Sequence, residues 1–377
     1  MFENFAFALS AILWCASFAW LIGTVCCALL QPTKRRLRAS LANEEAVSIV
    51  VPTSAVDNDR TADDRTNALK SLLALKYPNY EIVVCVDRAQ EGRGLRDMLE
   101  RSFAGSAIRI VAAERESGAN AKIDAMDAGL AESKNDLLLF SDDDVLVAPD
   151  HLAHLVGHLR GDIGLVSAAA FGIQPQNFWG HLECAFMNGQ FARLHLAGDF
   201  VGYSGALGKT IMVRRGDLER AGGLLPTGVD CCEDAALTQN VKTSGARVVL
   251  SDQPVLQPIL EQRFIDVWRR HRRWLSCRRK YLPVVFACEA LFSMPVAALS
   301  GAIVANGLNL APELGAVATA IVLCLIDSTF VLASGWHFGL QTPLAYVIRE
   351  LVFLPLWVSA LFARTVTWYG RRVPVAV

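Results

Sequence analysis

An excess of charge of one sign, internal repeats and paired-cysteine motifs are all missing from this sequence. Its 36 Lys and Arg residues against 37 Asp and Glu residues leave a formal net charge of −1. No overall basic field therefore points to nucleic acid. No internal repeat or low-complexity tract occurs, which excludes a repeat array. There are 10 cysteines but no CxxC pair. Cys15, Cys26, Cys27, Cys288 and Cys324 lie in apolar runs, and Cys85 lies in an expected buried strand. The cysteines are thus expected to be small apolar core residues of a reducing compartment, not a disulfide framework. The N-terminus carries Glu3 where a cleaved signal peptide would be basic, so an uncleaved anchor is expected. The string Gly202 to Thr210 ends like a phosphate loop but has Tyr203 where GxxxxGK[ST] needs glycine, which excludes an NTPase reading.

The chain is instead rich in apolar residues, and they are segregated. It is 53% hydrophobic and 19% charged, with mean hydropathy +0.33. Phe5 to Leu30 holds no charge. At about 1.5 Å per helical residue that run exceeds a hydrocarbon core of about 30 Å. Lys34, Arg35, Arg36 and Arg38 follow it, and the positive-inside rule assigns them to the cytoplasm. From Val47 to Val255, β-rich runs alternate with amphipathic stretches. Val47–Pro52, Glu81–Val86, Ile108–Val111 and Leu137–Phe140 read as strands, with helices over 63–76, 91–104 and 120–133. That alternation predicts an α/β domain with a mostly parallel sheet, its chemistry outside the carboxyl ends of the strands. After Pro283 the chain is apolar again. Val284–Ala311 holds only Glu289 and Leu314–Trp336 only Asp327, and a third stretch, Tyr346–Phe362, either spans or lies in the interface. The expected organisation is an anchor over 1–32, a catalytic domain over 45–256, a basic interfacial helix within 257–283 and a membrane region over 284–370.

Four places carry chemistry. Ser141-Asp142-Asp143-Asp144 follows a buried strand, and Asp142 and Asp144 point the same way in extended chain. Such a pair suits Mg²⁺ or Mn²⁺ shared with substrate phosphates, or is an acidic loop tip. Asp87 ends the second strand, within reach of a nucleotide base or ribose. Glu233-Asp234 precedes the helical run 235–243, either as a cap or as a carboxylate aimed at an acceptor hydroxyl. Arg270, Arg273 and Trp274 lie in the basic segment Trp268–Lys280. A basic helix bearing Trp beside a span reads as interfacial on anionic lipid, and its arginines suit a pyrophosphate. His151, His154 and His158 share a helical face and are expected to be solvated.

Asp87, the cluster ending at Asp144, Glu233-Asp234 and the RxxRW string at Arg270, Arg273 and Trp274 occur in that order. This resembles the D,D,D,(Q/R)xxRW signature of family 2-like and family 21 glycosyltransferases. The layout is similar to the ceramide glucosyltransferase family, as are Gly118–Lys122, Arg214–Gly223 and the tail Ile348-Arg349-Glu350 with Trp368-Tyr369-Gly370. Two departures stand out: Ala121 replaces a proline, and Gly208-Lys209-Thr210 replaces the Gly-Met-Ser of animal members. The resemblance implies a GT-A fold and an inverting displacement of a UDP-sugar, with glucose as the sugar, by a lipid hydroxyl. It implies Asp234 as base, Asp144 with Asp142 on the divalent ion, and Asp87 on the uridine. Arg270, Arg273, Trp274 and Lys122 would meet the diphosphate. Ceramide is the expected acceptor, with a hopanoid or diacylglycerol acceptor and a processive polysaccharide synthase as alternatives. The expected location is a bacterial inner membrane, with the catalytic domain cytoplasmic.

Overall fold

The computed structural model describes residues 2–36, 45–53, 62–86, 93–113, 120–230, 232–368 and 371–375. The chain opens with α1 (Phe2–Arg36), then β1 (Val47–Thr53), α2 (Ala62–Leu73), β2 (Tyr80–Val86), α3 (Arg93–Ser102), β3 (Ile108–Ala112), α4 (Ala121–Glu132) and β4 (Leu137–Ser141). Next come α5 (His151–His158), β5 (Ile163–Ser167), β6 (Ala170–Pro175), α6 (Phe178–Phe186), a π-helical turn Met187–Ala192, and α7 (Arg193–Phe200). After these follow β7 (Thr210–Arg214), α8 (Arg215–Arg220), α9 (Glu233–Thr243), β8 (Arg247–Leu250) and β9 (Val255–Leu260). The C-terminal part holds α10 (Phe264–Tyr281), α11 (Pro283–Leu291), α12 (Met294–Gly307), α13 (Pro312–Ala333), α14 (Thr342–Leu361), β10 (Thr365–Trp368) and β11 (Arg371–Pro374).

The sheet has seven strands in the order β3-β2-β1-β4-β7-β5-β8. Its first four strands pair in parallel, as the alternating pattern predicts. They are apolar because both sheet faces are covered: every residue of β1 and β4 is buried. One apolar cluster with Ile49, Val84, Leu139 and Leu155 fills one face. A second, with Val50, Cys85, Phe140 and Ile123, fills the other. Strand β7 departs from the parallel expectation, running antiparallel to both β4 and β5. Its first residue, Thr210, lies opposite Ser141, so the residue before β7 faces the carboxyl end of β4.

Among the described residues, three helices, α1, α13 and α14, are long and apolar enough to cross a membrane. The first C-terminal apolar run is expected as one span but is broken into α11 and α12, bent by 44°. Pro295, at the start of α12, has no N–H to continue the ladder. Helices α12 and α13 meet at glycines: a Cβ on Gly315 would lie 2.4 Å from the Gly301 carbonyl oxygen. Helix α14 follows the catalytic unit along its length. Near its start Thr342 reaches His181, mid-way Arg349 Nη1 donates to the Ala185 carbonyl at 3.1 Å, and at its end Arg279 donates to the Ala360 and Ala363 carbonyls. The β10–β11 hairpin then returns to the catalytic unit, where Val366 and Val373 pack with Cys232.

The basic end of α1 docks into protein. Arg35 Nε donates to Asp199 Oδ2 at 2.7 Å, and Gln31 Nε2 donates to the same oxygen at 2.9 Å. Arg36 pairs with Asp252, which also meets His154 and His158 at 3.0 and 2.9 Å. This corrects the expectation of a solvated histidine face, because His151 and His158 are buried. The fold turns that face onto the turn after β8, where Asp252 needs polar partners. Both side chains of the Arg35–Asp199 pair are nearly inaccessible, at 4% and 0%. Asp199→Ala is therefore expected to leave a buried unpaired cation and cost about 3–5 kcal/mol of stability. Urea unfolding of the detergent-solubilised chain measures this, and a loss below about 1 kcal/mol would show that the pair is not the anchor's lock.

Candidate active site

The Asp142 N–H donates to the Lys209 carbonyl at 3.0 Å, continuing the β4–β7 ladder beyond its last pair. Alternation along the extended segment then sorts the three aspartates. Asp143 turns inward, accepting from Thr53 Oγ1 at 2.6 Å and Arg65 Nε at 3.0 Å. Asp142 and Asp144 share the other side, and the Lys209 ammonium bridges them at 3.3 and 2.6 Å. Gln257 of β9 also donates to Asp144 Oδ2 at 2.6 Å. Lys122, in the first turn of α4, meets Asp142 Oδ1 at 2.8 Å and Glu233 Oε1 at 3.2 Å. Asn120 caps that helix by accepting the Lys122 N–H, which aims the lysine from the helix start.

Glu233 and Asp234 open α9. Asp234 accepts the N–H of Gly208 at 2.9 Å and of Ala235 at 2.8 Å. Gly208 leaves room for this, because a Cβ there would come within 3.3 Å of both Asp234 Oδ2 and Lys122 Nζ. Burial, and then the neighbouring Glu233 charge, raises the Asp234 carboxyl to about 6, with Lys122 partly opposing. A carboxyl so placed accepts a proton near neutral pH, as a general base must.

Helix α10 roofs this cluster. Arg270 pairs with Glu183 of α6 at 2.8 Å, and His271 meets the other oxygen of that carboxylate at 3.1 Å. Burial alone would raise the Glu183 carboxyl, but Arg270 and His271 outweigh it and hold it at about 2. The Arg273 guanidinium lies 3.4 Å over the Trp368 ring, so the C-terminal hairpin supports it. Trp274 stacks on Phe191 with centroids 4.4 Å apart. Arg272 donates to Ser359 and Lys280 pairs with Asp230, so these basic residues meet protein partners.

A cavity of about 270 Å³ joins these parts. Asp142, Lys122, Lys209, Glu233 and Asp234 form its charged wall, with Arg270, Arg273 and Trp274 above. Met187, Phe191, Leu194, Leu282 and Val285 form an apolar wall that leads into α11. Two polar groups interrupt that wall. Burial, and then the Arg278 charge, push His195 down to about 3, so it presents a neutral imidazole. Buried Arg278 is held by Glu289 at 2.7 Å through Nε, while its Nη1 has no hydrogen-bond partner among the described residues.

The model of the family described as "Glycosyl transferase family 21" matches residues 11–377. The chain belongs to glycosyl transferase family 21. Among similar proteins, Ceramide glucosyltransferase 1 of Caenorhabditis elegans is 22% identical over 341 residues, covering 86% of this chain and 71% of that protein. Ceramide glucosyltransferase 3 of the same organism is 22% identical over 357 residues, covering 90% and 75%. Among solved structures, the mannosyltransferase PcManGT from Pyrobaculum calidifontis, in complex with GDP-Man and Mn²⁺, aligns with a TM-score of 0.51 at 18% identity. That alignment covers 91% of this chain and 99% of the neighbour. The family 21 chain is thus a ceramide glucosyltransferase-like glycosyltransferase with a GT-A fold and apolar helices at both ends.

Of the residues singled out in the sequence of this family 21 member, Lys122, Asp142, Asp144, Asp234, Arg270, Arg273 and Trp274 all bound or adjoin the one cavity. Asp87 lies outside the described residues. Lys209, Gln257, Glu183, His195 and Arg278 belong to the same site and carry no sequence motif of their own. Lys209 did leave a trace, as the departure from Gly-Met-Ser. One correction concerns the cysteines: Cys232 and Cys277 form a disulfide, with Cα atoms 5.9 Å apart. They lie 45 residues apart, and only the docking of α10 on the start of α9 makes them neighbours.

With Asp234 ionised as the working form, kcat/KM is expected to fall as pH drops through about 6. Glu233→Gln removes a charge that raises Asp234, so the acidic limb should move to lower pH. A pH–rate series on both proteins checks this, and an unmoved or upward-moving limb would disconnect the limb from Asp234.

Proposed function

We propose that this glycosyltransferase moves glucose from UDP-glucose onto the primary hydroxyl of a ceramide-class lipid at the cytoplasmic face of a bacterial inner membrane. The observation that carries the reading is the cavity wall, charged on one side and apolar on the side that continues into the membrane-region helices. A water-soluble donor and a lipid acceptor need such a boundary between them.

Asp144, with Asp142, fits a divalent cation, since both present carboxylate oxygens to a common point marked by Lys209 Nζ. When bound, Mg²⁺ or Mn²⁺ supplies charge neutralisation on the diphosphate. Arg270, Arg273 and Lys122 bind the diphosphate, and Trp274 shapes the acceptor entrance. Asp87 takes the uridine contact, on the family resemblance. Asp234 removes the proton from the acceptor hydroxyl as its oxygen attacks the anomeric carbon in line, and the C1–O bond to UDP breaks with inversion. The Arg278 guanidinium donates to the lipid headgroup through Nη1, while His195 stays neutral beside it. The fold supports a closed topology. Both ends of α14 touch the catalytic unit, so α14 lies along the boundary while α1, the α11–α12 pair and α13 cross. Arg371 and Arg372 then stay on the catalytic side, as the positive-inside rule asks.

Radiolabelled UDP-glucose with ceramide should yield label extractable into organic solvent. Aqueous polymer, or no transfer to any lipid hydroxyl, would overturn the reading. Asp144→Ala should lower kcat by far more than tenfold, about 1.4 kcal/mol of barrier, and retention of a tenth of the rate would put the ion elsewhere.

Arg278→Gln should raise KM for the lipid and leave KM for UDP-glucose nearly unchanged. Arg278→Gln also loses the Glu289 pair and so costs stability, whereas Arg279→Gln, which loses the carbonyls at the end of α14, should act on stability alone. Equal effects of Arg278→Gln on both substrates would remove it from the acceptor path.

A further inference from the structure

Among the described residues, Lys209 is a cation placed on both carboxylates of the Asp142–Asp144 pair. It approaches Asp144 Oδ2 at 2.6 Å and Asp142 Oδ2 at 3.3 Å. Its backbone is tied opposite Asp142 by the extension of the β4–β7 ladder, so the ammonium is delivered to this point by the sheet itself. Asp144 is 3% exposed at its side chain and Lys209 is 18% exposed, so little water screens the contact. Lys122 holds the other oxygen of Asp142, and three carboxylates, Asp142, Glu233 and Asp234, line the cavity wall next to Asp144, so these two ammonium groups partly neutralise the cluster.

A divalent cation on this pair needs carboxylate oxygens at about 2.0–2.2 Å. The ammonium already lies on oxygens of both carboxylates, and two cations repel strongly at such a point. We propose that Lys209 is a built-in rival of the divalent cation: in the donor-free enzyme its ammonium occupies the carboxylate pair, and a nucleotide diphosphate draws it away. The proposal rests on the donor and metal assignment made above. It makes metal binding conditional on donor binding. Without nucleotide the pair is already neutralised and holds a divalent ion weakly. With a diphosphate in the cavity, Lys209 moves onto phosphate oxygens and the ion takes the carboxylates. The residue doing this is the one at which the chain departs from Gly-Met-Ser, and a methionine there would take the bridging ammonium off the pair.

The test is Mn²⁺ binding to the detergent-solubilised full chain without nucleotide, followed by the electron paramagnetic resonance signal of free Mn²⁺. Lys209→Met and Lys209→Gln should each lower the dissociation constant at least tenfold, and added UDP should shrink the difference from wild type. Lys209→Arg, which keeps a cation, should bind as weakly as wild type. Asp144→Asn on the Lys209→Met background should abolish the gain. The proposal is overturned by equal or weaker Mn²⁺ binding in the two neutral variants, by a gain that survives Asp144→Asn, or by no Mn²⁺ binding in any protein. If Lys209→Met does not fold, Lys209→Gln decides. The readout involves no sugar transfer. A chain that tightens on Mn²⁺ but makes no glycolipid would lose the functional reading and keep this one, and the converse result would do the reverse.

Discussion

Helix α10 is gripped between two buried carboxylates, Glu183 of α6 and Glu289 of α11, and the active site depends on that grip. Glu183 is fully buried and Glu289 nearly so, so each needs its arginine to remain charged in the interior. Arg270 answers the first and Arg278 the second, two turns apart on one helix. The pairs set α10 at a fixed height over the sheet. Arg273 and Trp274 then face the cavity between them, with Trp368 and Phe191 behind. Removing one carboxylate would leave an uncompensated cation at the roof of the site, and so the geometry of the RxxRW string is set by residues outside it.

The charged floor of the cavity has a comparable logic. Parallel strands deliver Asp142 and Asp144 to the carboxyl edge of the sheet, and antiparallel β7 delivers Lys209 to the same edge from the opposite direction. Helix α4 contributes Lys122 and helix α9 contributes Glu233 and Asp234, each from its first turn. The cluster is dense enough for neighbouring charges to set one another's behaviour. Glu233 raises Asp234 while Lys122 restrains it, which suits Asp234 to proton transfer without a fully apolar pocket.

The membrane segments are part of the catalytic architecture. Arg35 and Arg36, at the end of α1, are bound by Asp199 and Asp252 of the catalytic unit. Trp336, after α13, stacks on Phe171 of β6 at 3.6 Å between centroids. The apolar wall of the cavity therefore has a rigid relation to the charged one.

Much of this was legible in the residues. The first four strands and the helices between them fall within one to three residues of their expected bounds, because buried parallel strands are continuous apolar runs that stand out from amphipathic helices. The carboxylates after β4 stood out because residues that follow a buried strand lie at one edge of such a sheet, and Asp142 and Asp144 do lie there. Long-range pairing was not legible. Nothing local distinguishes a cysteine that meets Cys277 from one that packs alone, or tells that Asp252 will bury His158. Nor could composition separate Arg278, which lines the cavity and pairs with Glu289, from Arg279, which meets the last carbonyls of α14. The sequence by itself determined the first four strands, the long apolar segments and the carboxylates that follow β4, because those depend on local periodicity. Only the tertiary structure decided which cation meets which carboxylate, because ion pairing depends on the packing of segments far apart in the chain.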